Sequence, residues 1–393
     1  MNKKRVHTPE GVRDVYGIEY RRRSKLKDKL KHVFAGYGYE GIRTPGFEFF
    51  DVFNSEKGTV SSREMYKFFD REGNTLVLRP DVTPSIARCV AKYFSEEIVG
   101  IRLCYAGNVF LNNSSYQLKL KETCQLGAEL VNDDSVQADS EVIAMAVDCF
   151  LTAGLHDFRI SIGEVEFFQG LTDAIADDEI KAQLREFILN KNYFGLMEYV
   201  ENLDISDEVK QVFLRFNELN GDVEILDQAE KMVSNETSRQ AIARLRRVYE
   251  ILKLYGKEKY VGFDLGMLNK HNYYTGIIFK GYTYGTGDAV LKGGRYDNLI
   301  EQFGKKAPSV GFAIVLDELM TALQRQEIPM EAESVHTMIV YREELMKDAV
   351  AKANELRRQG RSVILERQNP NCSRDDYEQF AKEHYLGEVL YFV

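Results

Sequence analysis

The sequence predicts an α+β protein with a helical insertion and a small C-terminal α/β unit, and three observations predict it. Across 262–312, short apolar runs at 277–279 and 289–291 sit between glycines and tyrosines, which reads as strands with turns that let backbone approach a ligand closely. From about 164 to 255 the character changes to charged helices, with Ile242, Leu245, Val248, Tyr249 and Leu252 at helical spacing. The segment 334–393 then alternates strand, helix, strand, helix and strand, the pattern of a βαβαβ unit with a parallel sheet.

Taken in order, 7–14 is an entry loop turned by Pro9 and Gly11. The segment 21–35 is a helix with Leu26, Leu30, Val33 and Phe34 on one side. Its other side carries Arg21, Arg22, Arg23, Lys25, Lys27, Lys29 and Lys31, read as a solvated face, with an anionic partner surface as the alternative. A strand at 39–45 ends at Pro45, and 65–71 with 75–78 forms a hairpin around Glu72-Gly-Asn. In Arg79-Pro-Asp-Val-Thr-Pro-Ser, Pro80 and Pro84 keep the chain out of helix until about Ser85. A loop that stiff presents Asp81 and Thr83 to a ligand; the alternative is that Thr83 or Ser85 merely caps the next helix.

Strands are expected at 101–110 and 122–130, joined by a polar loop at 111–117. On the second, Gln125, Gly127 and Glu129 share one face by the period of two, and a carboxylate there asks for a polar ligand or a partner. Gly127 leaves room between the two side chains. A helix at 139–153 and a strand at 158–162 precede the insertion, in which no cluster suggests chemistry. A helix at 316–324 and a linker at 327–334 lead into the tail.

Composition sets the class. The 393 residues suit two or three domains, and 44% hydrophobic with 29% charged residues is the balance of a soluble globular chain with no membrane-spanning run. The basic start at 1–5 lacks the apolar stretch of a secretory signal, so a cytoplasmic location is expected. Five cysteines without a C-x-x-C pair read as reduced thiols, and no metal or other cofactor is expected. A formal charge of −9 makes nucleic acid an unexpected main partner.

Several stretches resemble histidyl-tRNA synthetase, in the right order over nearly the whole chain: Thr8-Pro-Glu-Gly-Val-Arg-Asp, Tyr37-Gly-Tyr-Glu-Gly-Ile-Arg-Thr-Pro, Glu64-Met-Tyr-Lys-Phe-Phe-Asp-Arg, Leu78-Arg-Pro-Asp-Val-Thr, Gln125-Leu-Gly-Ala-Glu-Leu, Asn272-Tyr-Tyr-Thr-Gly and Gly293-Gly-Arg-Tyr-Asp. The resemblance implies an antiparallel class II synthetase sheet with flanking helices, formed by 1–163 and 256–325, interrupted by the helical insertion 164–255. It makes 334–393 a truncated anticodon-binding-like domain. It also implies a dimer, with the first helix and the strand ending at Pro45 in the interface. By the same resemblance Asp81, Thr83 and Gln125 hold the α-ammonium of histidine, Glu129 and Tyr274 meet its imidazole, and Tyr273, Gly293 and Tyr296 line the pocket.

The catalytic positions depart from that pattern. Phe110-Leu-Asn-Asn places Leu111 and Asn113 where the synthetases have the Phe-Arg-x-Glu of motif 2. Asn269 stands where they have an arginine before Gly-Leu-Asp-Tyr-Tyr, and Asp317-Glu318 where motif 3 has Glu-Arg, so that Glu318 would repel a triphosphate. Guanidinium suits bidentate contact with phosphate and carboxylate, so its loss at all three positions removes the grip on ATP. A synthetase fold that keeps the amino-acid pocket without the ATP site resembles the regulatory subunits of ATP phosphoribosyltransferase, as does Asp81 in Arg-Pro-Asp-Val-Thr. That resemblance implies a non-catalytic chain in a hetero-oligomer with the short-form catalytic subunit, activating the first step of histidine biosynthesis and relaying inhibition by histidine. The alternatives are a true histidyl-tRNA synthetase and a tRNA-sensing synthetase-like module.

Overall fold

A computed structural model describes residues 6–53, 60–113, 120–269, 274–330 and 336–393. Tyr273 lies outside these residues, as do parts of the 111–117 loop and the 327–334 linker. By its contacts the chain divides into two units, one of 27–328 with the segment up to Arg13, the other of 14–26 with 329–393.

In the larger unit the strands are β1 (Glu40–Gly41), β2 (Phe47–Phe49), β3 (Lys67–Phe69), β4 (Thr75–Leu78), β5 (Ile101–Phe110), β6 (Glu122–Val131), β7 (Phe158–Glu164), β8 (Asn220–Gly221), β9 (Val261–Asp264), β10 (Ile277–Thr283), β11 (Leu291–Arg295) and β12 (Ser309–Val315). Nine of them form one sheet in the order β1-β5-β6-β12-β11-β10-β7-β9-β8, antiparallel except where β1 meets β5 and β7 meets β9. β2, β4 and β3 make a separate antiparallel sheet, which contains the hairpin expected at 65–78.

The helices follow from the apolar spacing. They are α1 (Gly17–Gly36), α2 (Thr83–Tyr93), α3 (Val136–Ala153), α4 (Val165–Thr172), α5 (Asp178–Leu189), α6 (Tyr193–Glu201), α7 (Asp207–Leu214), α8 (Glu224–Met232), α9 (Glu236–Leu254) and α10 (Leu316–Arg325). α3 starts at the cap Ser135, whose hydroxyl accepts from the Ala138 amide at 3.1 Å. It lies against β6, β11 and β12, and its Phe150 ring occupies the space beside Gly281 on β10. Its sheet-facing side is closed to water, with Val142, Met145, Ala146, Cys149 and Phe150 fully buried. α9 packs on α3 and α4 and buries the expected Ile242, Leu245, Val248 and Leu252.

Several expectations need correction, among them the strand at 39–45, of which only β1 at Glu40–Gly41 forms. The segment 164–255 is not all helical, because β8 pairs with β9. β11 begins at Leu291 rather than 289, since Asp288 turns back on the Ala289 amide at 2.7 Å. α2 begins at Thr83, not Ser85, because a proline in the first helical turn lacks only an amide that has no intrahelical partner there. Neither Thr83 nor Ser85 caps it, as the cap position is Val82 with no side-chain bond.

The smaller unit holds β13 (His336–Tyr341), α11 (Met346–Arg358), β14 (Ser362–Arg367), α12 (Arg374–Glu383) and β15 (Glu388–Phe392). Its sheet is parallel in the order β14-β13-β15. Alternation along β13 sends Ile339 to a cluster with Ala349, Ala353 and Leu356 of α11, and Met338 and Val340 to one with Tyr377 of α12. In this unit the arginines at the start of α1 are half-buried rather than solvated; Arg22 donates to the Met330 carbonyl at 3.1 Å. Among the described residues no helix is long and apolar enough to cross a membrane.

Candidate functional site

β6, β12, β11 and β10 form the floor of a cleft of about 510 Å³, the size of a small-molecule site. Asp81, Thr83, Gln125, Glu129, Tyr274, Gly293 and Tyr296 all line it. Residues from four separate stretches of sequence therefore meet in one place.

The loop before α2 is held by Arg79. Its buried guanidinium donates to the Asn108 carbonyl at 2.7 Å and to the Thr44 and Pro45 carbonyls at 3.0 and 3.2 Å. Asp81 accepts from the Val82 amide at 2.7 Å, which fixes the turn into α2 and leaves Thr83 facing β6. The Thr83 hydroxyl donates to Glu129 Oε1 at 2.7 Å, and the Tyr296 hydroxyl to Glu129 Oε2 at 2.5 Å. Thr83 thus serves the cleft.

Two glycines let these groups lie flat on the sheet. A Cβ at Gly311 would stand 1.6 Å from Glu129 Oε2, and one at Gly294 would stand 2.6 Å from the Tyr274 ring. Gly127 differs from expectation, because its space is taken by Tyr105, whose hydroxyl a Cβ there would meet at 2.5 Å. Gly293 contributes backbone to the cleft, while its missing side chain would point at the Phe279 ring, 2.4 Å away.

Burial decides the electrostatics. Glu129 is 1% exposed, and desolvation pushes its carboxyl up to about 8 against the hydrogen bonds from Tyr296 and Thr83, with Asp81 adding repulsion. Burial also raises the Tyr274 phenol, which stays neutral. Gln125 Oε1 is buried without a hydrogen-bond partner among the described residues, an acceptor at the cleft lacking its donor.

Because an acid raised by burial binds its proton more tightly folded than unfolded, stability is greatest below the unfolded value of 4.5 and falls as pH rises toward about 8. Glu129→Gln is expected to remove that component, on the order of 4 kcal/mol between pH 5 and 9 at about 1.4 kcal/mol per unit. Urea unfolding of both proteins at the two pH values measures it. Equal pH dependence in the two would refute an ionising, desolvated Glu129.

Of the positions that depart from the synthetase pattern, Leu111 and Asn269 line the cleft, whereas Asn113 and Glu318 are not among its lining residues. Asn269 is tied to the helical insertion through its carbonyl, which accepts from Arg185 of α5, and Leu189 one turn on forms part of the cleft wall. The sequence reading of the insertion gave no hint of this. It also passed over Lys280, Lys292 and Asp288, all of which line the cleft. Lys280 and Lys292 each directly follow an apolar run on β10 and β11, and Asp288 lies in the bend before β11, so no periodic signal marks them in the sequence. Among the described residues no group of three or more His, Cys, Asp or Glu side chains is arranged to hold a metal ion.

The chain matches the family model described as histidyl-tRNA synthetase over residues 11–319. It is 41% identical to the ATP phosphoribosyltransferase regulatory subunit of Acetivibrio thermocellus, covering 92% of this chain and 87% of the relative. It is 36% identical to that of Ruminiclostridium cellulolyticum, covering 100% and 93%. A crystal structure from Bacillus halodurans, described as an ATP phosphoribosyltransferase regulatory subunit/histidyl-tRNA synthetase, superposes with a TM-score of 0.89 at 31% identity, covering 98% of both chains. The histidyl-tRNA synthetase of a Nostoc species, at 22% identity and a TM-score of 0.80 over 96% of this chain and 89% of its own, shares the fold. With that fold, these identities and this coverage, the chain belongs to the ATP phosphoribosyltransferase regulatory subunits, a family built on the class II architecture of histidyl-tRNA synthetase.

Proposed function

We propose that this chain is the histidine-binding regulatory subunit of ATP phosphoribosyltransferase, acting in histidine biosynthesis through a separate short-form catalytic subunit. The observation that carries the histidine reading is the acceptor-rich end of the cleft. Asp81, Gln125 Oε1 and the buried Glu129 converge there, and the lysines lining the cleft lie on other strands. Such a set suits a ligand bringing donors and positive charge: an ammonium toward Asp81, Thr83 and Gln125, and an imidazole between Glu129 and Tyr274, with Tyr296 holding Glu129.

The same reading makes the chain non-catalytic. Leu111 and Asn269 supply no guanidinium where ATP or a carboxylate would be gripped, and losing one such contact costs about 3 kcal/mol of transition-state stabilisation. Regulation then requires that histidine bind one state of the complex more tightly than the other. The assembly in this reading is a homodimer within a cytoplasmic hetero-oligomer, and nucleic acid has no part in it.

Calorimetry with histidine on the wild type and Glu129→Ala tests the pocket. Saturable binding by the wild type and at least about 100-fold weaker binding by the variant are expected. Equal affinities would refute the imidazole assignment. Histidine-dependent exchange of pyrophosphate into ATP would instead establish a working synthetase.

A further inference from the structure

We propose that Lys280 is the cation that receives the α-carboxylate of the bound amino acid. This rests on the histidine reading above and adds to it the group that recognises the negative end of the ligand.

The sheet register gives the placement. Directly opposed residues of antiparallel strands share a face, and the pairs Gly127↔Ala313, Ala313↔Lys292 and Lys292↔Lys280 run in one row from β6 across β12 and β11 to β10. Gln125 and Glu129 flank Gly127 on that face by the period of two. The row therefore starts between the two acceptors and ends on two lysines. Three strand spacings separate its ends, about 14 Å between backbones, and the flexible lysine stem shortens the gap. The α-carboxylate sits on the same carbon as the α-ammonium, so with the ammonium at the acceptors it faces along the row toward the lysines, whose stems reach back to it.

The two lysines are not equivalent. Lys292 Nζ is 3.3 Å from Asp288 Oδ2 and so already has a counterion. Lys280 is half-buried and has no ion pair or hydrogen bond among the described residues. Desolvation and then the charge of Lys292 depress its pKa, with Lys191 adding repulsion and Asp288 and Asp264 opposing it. A cation with like-charged neighbours and no close counterion is costly, and an arriving carboxylate relieves that cost.

Asn269 strengthens the case. Its neutral amide lines the same cleft at the position where the resemblance has an arginine, so a full charge for the carboxylate has to come from another residue. Arg185 is also nearby, but it is engaged with the Asn269 carbonyl and, like Lys191, is not among the lining residues. Lys280 is already on the floor.

The test compares histidine with histamine, which has the same ring and amine without the carboxylate, by calorimetry on the wild type, Lys280→Met and Lys280→Arg. The wild type is expected to prefer histidine by about 10-fold or more, Lys280→Met to bind the two within about threefold, and Lys280→Arg to regain most of the preference. Retention of the full preference by Lys280→Met overturns the assignment. Equal binding of both ligands by the wild type also overturns it, while leaving the ammonium and imidazole contacts standing. Failure of the wild type to bind either ligand sinks the histidine reading on which it rests. Rescue by arginine separates loss of charge from loss of fold.

Discussion

Replacing Gly311 by alanine is expected to abolish histidine binding, weakening it by at least about 100-fold, while costing about 1–3 kcal/mol of stability. The added methyl would sit 1.6 Å from Glu129 Oε2 and 2.6 Å from the Ala128 carbonyl, so the carboxyl must leave its place. With it goes the bond from Tyr296, and the proposed imidazole site would lose its acceptor. Gly287 is the control, since a Cβ there meets nothing within 4 Å and the same substitution should leave affinity unchanged. Calorimetry with histidine on the two variants decides it. Normal affinity in Gly311→Ala would mean that Glu129 does not need to lie on β12.

The second large effect is structural. Asp139→Ala is expected to destabilise the larger unit by about 3–5 kcal/mol, because it strands two guanidinium groups. Asp139 is fully buried and accepts from Arg295 Nε and Nη2 at 2.9 and 2.7 Å and from Arg244 Nε and Nη2 at 2.9 and 2.5 Å. Arg295 is itself 3% exposed and, among the described residues, would keep only Asp297 at 3.2 Å as a charged partner. The triad ties α3, α9 and β11 together directly behind Tyr296. Denaturant unfolding measures the loss, and a change under 1 kcal/mol would show that the network carries little of the fold's stability.

This network explains why Gly293-Gly-Arg-Tyr-Asp is written as it is. Gly294 makes room for Tyr274, Arg295 reaches back to Asp139, Tyr296 holds Glu129, and Asp297 accepts from the Ser309 amide at 3.0 Å. Successive residues on a strand face opposite ways, so one short run serves both the cleft and the core behind it. From sequence alone it is visible as a motif, but not as a division of labour.

What the sequence made legible was whatever repeats locally. The strands expected at 101–110 and 122–130 match β5 and β6 almost to the residue, and the apolar spacing in 242–252 gave the buried side of α9. Asp81, Thr83, Gln125 and Glu129 could be placed in one cleft because the family resemblance covers their motifs, and the geometry brings them together. What stayed hidden depends on contacts far apart in the chain. Gly311 matters only because Glu129 lies on it, and Arg185 only because α5 folds back to Asn269. Lys280 hides for a different reason, since a lysine on a strand looks the same in the sequence whether its face meets water or a ligand. The two-residue β8 is too short to carry any periodicity at all.

The central claim is that a synthetase-like pocket here acts as a sensor for a partner enzyme. Its most direct test is to assay a short-form ATP phosphoribosyltransferase catalytic subunit alone, with this chain, and with this chain plus histidine, using Gly311→Ala in parallel. The account predicts that the chain raises turnover, that histidine lowers it again, and that Gly311→Ala still activates but no longer responds to histidine. Turnover unchanged by adding the wild-type chain would contradict it.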